Sequence, residues 1–308
     1  MNIFFKLILT LTFFASFFSC KKDDPVQVYS IPYAEQYPKD LTAIETFLKT
    51  HKINETVNPG HVDDRDVSFS VVPDGDSASI WGDNATTPKA SLLNKIVNSN
   101  GVDYKVYYVS LSDGTQQKPY PTDSVCVAYK GRLLDDTTFD QAQNPNWFIL
   151  GSVIQGWNEI IPLFKTGTSS AGTDGTTIYS DFGAGVMFLP SGLAYYSQGQ
   201  GLIPPYSPLI FNFKLQNVEY VDNDNDGILS RDEDINLNGI LTDDDTDGDG
   251  IPNYRDIDDD GDYYTTKSEI KIPGSDPATY YLYSQVPSCS ADVSSPTRIR
   301  KYLDPSCH

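Results

Sequence analysis

The sequence predicts an α+β fold with a compact acidic array behind it, on three observations. Runs rich in β-branched and aromatic residues stand at Tyr104 to Val109, Val125 to Tyr129 and Leu209 to Leu215, the signature of strands. One short helical stretch begins near Trp157, and no strand–helix–strand repeat accompanies it, so a parallel sheet is not expected. Acidic residues are also concentrated. Of 308 residues, 42 are acidic and 22 basic, for a net charge of -20, yet residues 222–262 alone hold 15 Asp and one Glu against two Arg, a local net of -14. A general solubility effect would spread that charge along the chain, so the segment needs its own explanation. The overall sign excludes nucleic acid as a partner, because phosphate backbones recruit lysine and arginine. With 39% hydrophobic residues, 20 Tyr and 15 Phe, the chain can build a core.

Residues 1–19 read as a signal peptide: Lys6, then an apolar run from Leu7 to Phe18, then Ser19 ahead of Cys20. About a dozen apolar residues cannot cross a hydrocarbon core that needs about 20 in a helix. The small residue before Cys20 resembles the lipobox of bacterial lipoproteins, which implies lipidation at Cys20 and a membrane partner reached through an N-terminal lipid anchor. Lys21-Lys22-Asp23-Asp24 resembles the surface-export signal of Bacteroidetes lipoproteins. Together these imply an outer-membrane lipoprotein facing the periplasm or the cell surface.

Residues 20–101 read as a tether and an irregular N-terminal arm. Leu41, Ile44, Phe47 and Leu48 have helical spacing over Asp40 to Ile53, with Asp40 as a plausible cap. Val67, Phe69 and Val71 alternate like a strand, while Leu92, Leu93 and Ile96 suggest a second short helix that Asn98 to Gly101 ends.

Residues 102–221 form the central domain. Five blocks stand in order: Tyr129-Lys130-Gly131-Arg132-Leu133, Thr138-Phe139-Asp140, Val153-Ile154-Gln155-Gly156-Trp157, Leu189-Pro190-Ser191-Gly192-Leu193-Ala194-Tyr195, and Ile203-Pro204-Pro205-Tyr206-Ser207-Pro208-Leu209-Ile210-Phe211. In this order they resemble FKBP-type peptidyl-prolyl isomerases. The resemblance implies an FKBP-like half-open antiparallel sheet wrapped around a short helix, with proline-containing polypeptides as clients. It implies aromatic pocket walls at Tyr129, Phe139, Phe148 and Phe211, with Trp157 as the floor. Val153 and Ile154 would flank the proline ring, the Ile154 N–H reaching a substrate carbonyl. Tyr195 would offer a hydroxyl, Asp140 would be the pocket's carboxylate, and Ile203 would close the rim.

No cofactor is implied for catalysis. Isomerisation faces a barrier of about 18–20 kcal/mol from amide resonance, and a dry aromatic cavity favours the less polar twisted amide. Hydrolytic signatures are missing: there is no Gly-x-Ser-x-Gly, and His51, His61 and His308 all lie outside this domain. The sequence departs from the family at Tyr196, where glycine is usual, at Asn146 in place of an aromatic, and in the Gly/Ser/Thr-rich insertion Gly167 to Gly185. These departures leave open a second reading, a non-catalytic FKBP-fold chaperone or a calcium-ordered binding scaffold.

Residues 222–270 carry calcium-loop spacing. In the first loop Asp222, Asp224, Asp226, Ser230 and Glu233 stand at positions 1, 3, 5, 9 and 12, Ile228 offers a carbonyl, and Gly227 makes the turn. A second loop runs from Asp234 through Asn236 and Asn238 to Asp245. A third uses Asp245, Asp247, Asp249, the Ile251 carbonyl and Asp256, and resembles thrombospondin type 3 repeats. A fourth uses Asp258, Asp260, Asp262 and Glu269, with Tyr263 on the glycine site. Such close succession leaves no room for paired flanking helices, so a compact array wound around structural Ca²⁺ is expected. Residues 271–308 form a tail in which Cys289 and Cys307 can staple a loop, whereas Cys126 falls in a strand and reads as an inert core thiol.

Overall fold

In the computed structural model, residues 30–82, 91–173 and 175–308 are described. The signal peptide and Cys20 lie outside them. Six antiparallel strands form the main sheet. They are β3 (Leu92–Ser99), β4 (Val102–Asp113), β5 (Ser124–Leu133), β6 (Thr138–Ile149), β9 (Gly183–Leu189) and β10 (Leu209–Glu219), in the order β3-β4-β9-β10-β5-β6. Successive residues alternate between two cores. Met187, Leu189, Leu209, Phe211 and Phe213 face one, while Val186, Phe188 and Ile210 face the other. Helix α2 (Gln155–Ile160), continued by a 3₁₀ turn over Ile161–Leu163, fills the first face.

The second face is covered by the segment expected to be irregular. Helix α1 (Tyr33–Thr50) buries Ile44, Phe47 and Leu48 there, and a two-stranded sheet of β1 (His51–Glu55) and β2 (Val67–Val71) packs beside it. Buried polar groups fasten this cover: Arg132 Nη2 donates to the Val67 carbonyl at 2.8 Å, and Lys214 Nζ lies 2.6 Å from Asp66. Asp40 is not a cap. It sits inside α1, 2% exposed, and its carboxylate accepts the Ser191 N–H at 2.8 Å and hydroxyl at 2.6 Å. Burial pushes its pKa up, against those hydrogen bonds.

Leu92, Leu93 and Ile96 belong to a strand, not a helix. β3 pairs with β4 from Leu92↔Val109 to Ser99↔Val102, and Asn100 and Gly101, with φ of 52° and 71°, form the two-residue turn between them. Asn-Gly between apolar runs favours a hairpin of this type, and Ile96 is 54% exposed, so the three residues make no buried helical stripe. The sheet thus begins ten residues before the expected boundary at 102. The insertion folds as a second hairpin, β7 (Thr168–Ala171) with β8 (Thr177–Ser180), whose half-buried Tyr179 packs on the α1 side.

Beyond β10 the acidic loops wind with only short 3₁₀ turns and the four-residue helix α3 (Thr266–Glu269). The tail packs onto them around Ile228, Ile270, Val286 and Tyr302, and Cys289 and Cys307 are joined. Among the described residues no helix is long and apolar enough to cross a membrane.

Candidate functional site

The aromatic residues expected to line a pocket converge on the α2 face. Tyr129 comes from β5, Phe139 and Phe148 from β6, Trp157 from α2 and Phe211 from β10. Trp157 is the hub: its ring meets Tyr129 at 5.0 Å, Phe211 at 5.3 Å and Phe148 at 5.6 Å between centroids, each edge-on, and Phe139 meets Phe211 at 5.4 Å. Edge-to-face contact is the favoured geometry for rings that carry a quadrupole. Val153, Ile154 and Tyr195 are half-buried against the same cluster, and Ile203 is buried within it. Gly131 belongs to the wall although no role was expected of it. A Cβ there would lie 2.5 Å from Phe139 Cζ and 2.9 Å from Phe211 Cε1, so the rings close over a bare backbone.

One carboxylate faces this cage. Asp140 sits in register with Gly131, and its Oδ2 accepts the Tyr129 hydroxyl at 2.6 Å while Oδ1 accepts the Gln141 N–H. Burial, then the hydrogen bond to Asp140, raises the Tyr129 pKa, and burial followed by the Asp140 charge raises that of Tyr195. Both phenols therefore stay protonated as donors. Trp157 Nε1 is buried without a hydrogen-bond partner among the described residues.

The three departures find places in this geometry. Tyr196 keeps the left-handed backbone that glycine would supply, at φ 47°, and its ring stacks on Tyr33 of α1 at 3.9 Å. Asn146 pairs with Val127 across β5 and β6, and the adjacent Trp147 points to solvent. The inserted hairpin is anchored through Tyr179 on the opposite side of the sheet and does not line the cage.

The acidic loops share one hydrogen-bond pattern. The first acid of each loop, Asp222, Asp234, Asp245 and Asp258, accepts the N–H of the sixth residue at 2.9–3.1 Å. The fifth residue, Asp226, Asn238, Asp249 or Asp262, accepts that of the seventh at 2.6–2.8 Å. Tyr263 takes the glycine position with φ 75°. This folding turns carboxylates inward: ligand oxygens of Asp222, Asp224 and Asp226 lie within 4.8 Å of one another, as do those of Asp245, Asp247 and Asp249, and of Asp258, Asp260 and Asp262.

Ser230 is fully buried, its hydroxyl accepting the Asn223 N–H, and Asp256 accepts the Asp258 N–H. Ile228 is buried while Ile251 is exposed. Glu233 and Glu269 are buried with both oxygens free of hydrogen bonds among the described residues, and one oxygen each of Asp224, Asp226, Asp258 and Asp260 is likewise buried without one, while Asp262 Oδ2 lies 3.4 Å from His308 Nδ1. Burial and neighbouring acids push Asp224 up to about 7 and Glu269 up to about 8. Unpaired buried carboxylates are costly, and oxygen sets of this kind suit a hard cation.

Two details differ from the spacing. The second loop closes on Asp243 and Asp244, which accept the Asn238 and Asn236 side-chain amides at 2.8 and 3.0 Å, whereas Asp245 is taken up by the Gly248 and Gly250 N–H groups of the third loop. Asp259, a position that strict alternation points outward, is instead buried beside Asp226 and Glu233.

Residues 115–171 match the family model "FKBP-type peptidyl-prolyl cis-trans isomerase", and residues 223–296 match "BamM C-terminal". Over 129 residues the chain is 33% identical to a probable FKBP-type peptidyl-prolyl cis-trans isomerase FkpA of Neisseria meningitidis, covering 41% of this chain and 40% of that one. It is 36% identical over 125 residues to the peptidyl-prolyl cis-trans isomerase Mip of Coxiella burnetii, covering 39% and 46%, and 32% identical over 128 residues to the outer membrane protein MIP of Legionella longbeachae, covering 40% and 47%. The chain thus spans less than half the length of these curated relatives. Through its central stretch it is similar to FKBP-type peptidyl-prolyl cis-trans isomerases, the family its aromatic blocks resemble.

Proposed function

We propose that the chain is a peptidyl-prolyl cis-trans isomerase that assists the folding of exported or outer-membrane proteins. The observation that carries this reading is the single cage made by Tyr129, Phe139, Phe148, Trp157 and Phe211 with Asp140 hydrogen-bonded at its edge. In it Trp157 supports the proline ring, Val153 and Ile154 flank it, Ile203 closes the rim, and the Ile154 N–H and Tyr195 hydroxyl bind the peptide carbonyls. Dry aromatic walls favour the twisted amide over the planar one. The Asp140 carboxylate orients the Tyr129 hydroxyl and faces the rotating carbonyl.

The test is a protease-coupled assay on a proline peptide with the whole chain. Phe139→Ala and Asp140→Val are each expected to lower kcat/KM at least tenfold without loss of fold. A wild-type rate equal to the uncatalysed one leaves only a binding module.

The acidic array, in this reading, holds structural Ca²⁺. The buried oxygens of Asp224, Asp226, Glu233, Asp258, Asp260 and Glu269 that lack hydrogen bonds among the described residues support it, with Asp222, the Ile228 carbonyl and Ser230 completing the first loop, Asp245, Asp247, Asp249, Ile251 and Asp256 supplying the third, and Asp262 joining Asp258 and Asp260 in the fourth. The Ser19-Cys20 pattern and the name of the Legionella relative support an outer-membrane lipoprotein held by lipid on Cys20, facing the periplasm or the cell surface.

A further inference from the structure

We propose that a divalent cation is clamped between the first and fourth acidic loops by Asp226, Glu233 and Asp259, closing the array on itself through an ion. This rests on the calcium reading above and adds a ligand and a connection that loop spacing does not contain. Carboxylate oxygens of the three residues lie within 4.8 Å of one another although Asp259 is 26 positions beyond Glu233 in the chain. They are 2%, 0% and 1% exposed, and both oxygens of Glu233 lack any hydrogen-bond partner among the described residues, while the Asp259 carboxylate has only the Thr266 hydroxyl beside it. The group Asp245, Asp247 and Asp249 is open to solvent by comparison, and exposed acids need no ion to coexist.

Three buried, converging carboxylates, with neither oxygen of Glu233 bonded, need compensation. Their mutual repulsion and lost hydration leave protonation or a cation as the two ways to hold them together, and Ca²⁺ accepts six to eight oxygens in adaptable geometry. Asp226 also belongs to the Asp222, Asp224 and Asp226 group, so its carboxylate is placed to be shared between that group and the clamp.

The position gives the clamp a consequence. Ile228, between Asp226 and Glu233 in sequence, packs with Ile270, Val286 and Tyr302 in the small core that seats the tail. Tyr302 is fully buried, its hydroxyl has no partner among the described residues, and it interacts electrostatically with Asp259 and Glu233. A cation here fixes both ends of the array and the seat of the tail together.

The test is calcium titration calorimetry and amide hydrogen exchange on the whole chain, wild type against Asp259→Asn, with Asp245→Asn as a control in the third loop. Asp259→Asn is expected to lose one class of calcium site or weaken it at least tenfold, and to lose calcium-dependent protection around Tyr302, which Asp245→Asn keeps. Unchanged affinity and stoichiometry in Asp259→Asn overturn the clamp and leave the loops standing. A wild-type chain that takes up no calcium overturns the calcium reading itself. Should Asp259→Asn fail to fold, Tb³⁺ replaces Ca²⁺ in two chains with intact carboxylates. Emission sensitised by tyrosine is expected to fall in Tyr302→Phe, and equal emission overturns the clamp.

Discussion

Tyr129 shows how one hydroxyl organises the cage. Its ring touches Phe148, Trp157 and Phe211, and its hydroxyl spends its proton on Asp140. Tyr129→Phe keeps the ring and removes only that donor, so the Asp140 carboxylate turns more freely. A net hydrogen bond is worth about 0.5–1.5 kcal/mol, which corresponds to a fall in kcat/KM of about 2- to 13-fold. The peptide assay checks this, with unaltered thermal stability as the control, and a variant as active as wild type removes the positioning role. At this scale the sequence was most legible. The ten expected pocket residues are found together, because a pocket built on fixed strand and helix positions leaves its residue types in fixed order. Gly131 and Asp259 were less so. The first matters through what a side chain would displace, and the second through a partner loop far along the chain.

Among the elements, the acidic loops carry the clearest dependence on conditions. Burial, then neighbouring carboxylates, push Glu233 up to about 10 and Asp259 up to about 9, against ordinary values near 4. A carboxyl whose pKa is raised by folding favours the fold while it is protonated. That contribution is full below about pH 4 and drains away as pH climbs toward the raised values. Calcium-stripped protein is therefore expected to have a more stable array at pH 5 than at pH 8, whereas calcium, which binds the deprotonated acids, reverses the order. Thermal melts followed by tyrosine fluorescence measure both, and a stripped array that gains stability between pH 5 and 8 contradicts the packing of these acids. The element misread from sequence, β3, failed for a local reason: apolar residues four apart suit a helix or a strand, and the Asn100-Gly101 turn was the deciding signal.

Within residues 32–308, which form one compact unit, two regions of different construction adjoin at Asp123 and Arg231. Asp123 accepts the Val221 N–H where β10 ends, and the Arg231 guanidinium lies 4.1 Å from the Tyr220 ring centre. Among the described residues, the sheet region has two apolar cores, while the acidic region has one small one, shared with a tail closed by Cys289 and Cys307 over a separation of 18 residues. A disulfide across a loop of that order contributes about 3 kcal/mol. Replacing both cysteines with serine is expected to lower the unfolding transition of the array by about that much and to leave the rate in the proline-peptide assay of the proposed activity unchanged. A simultaneous loss of activity would mean that the halves unfold as one. The fold of the first half was largely written in its strand patterns, and the helical spacing around Ile44 and the alternation at Val67 to Val71 marked α1 and β2, but their docking as a second cover was not legible, because its fastenings through Asp40, Arg132 and Lys214 are contacts between distant residues.

The stack of Tyr33 on Tyr196 gives the rim of the cage a mechanical neighbour. Tyr33 is the first residue of α1 and packs against the core that holds the cage, so the start of this helix is held by a ring from the turn that follows Tyr195. The helix that covers one face of the sheet and the cage on the other face therefore share a joint, and Tyr196 is its socket.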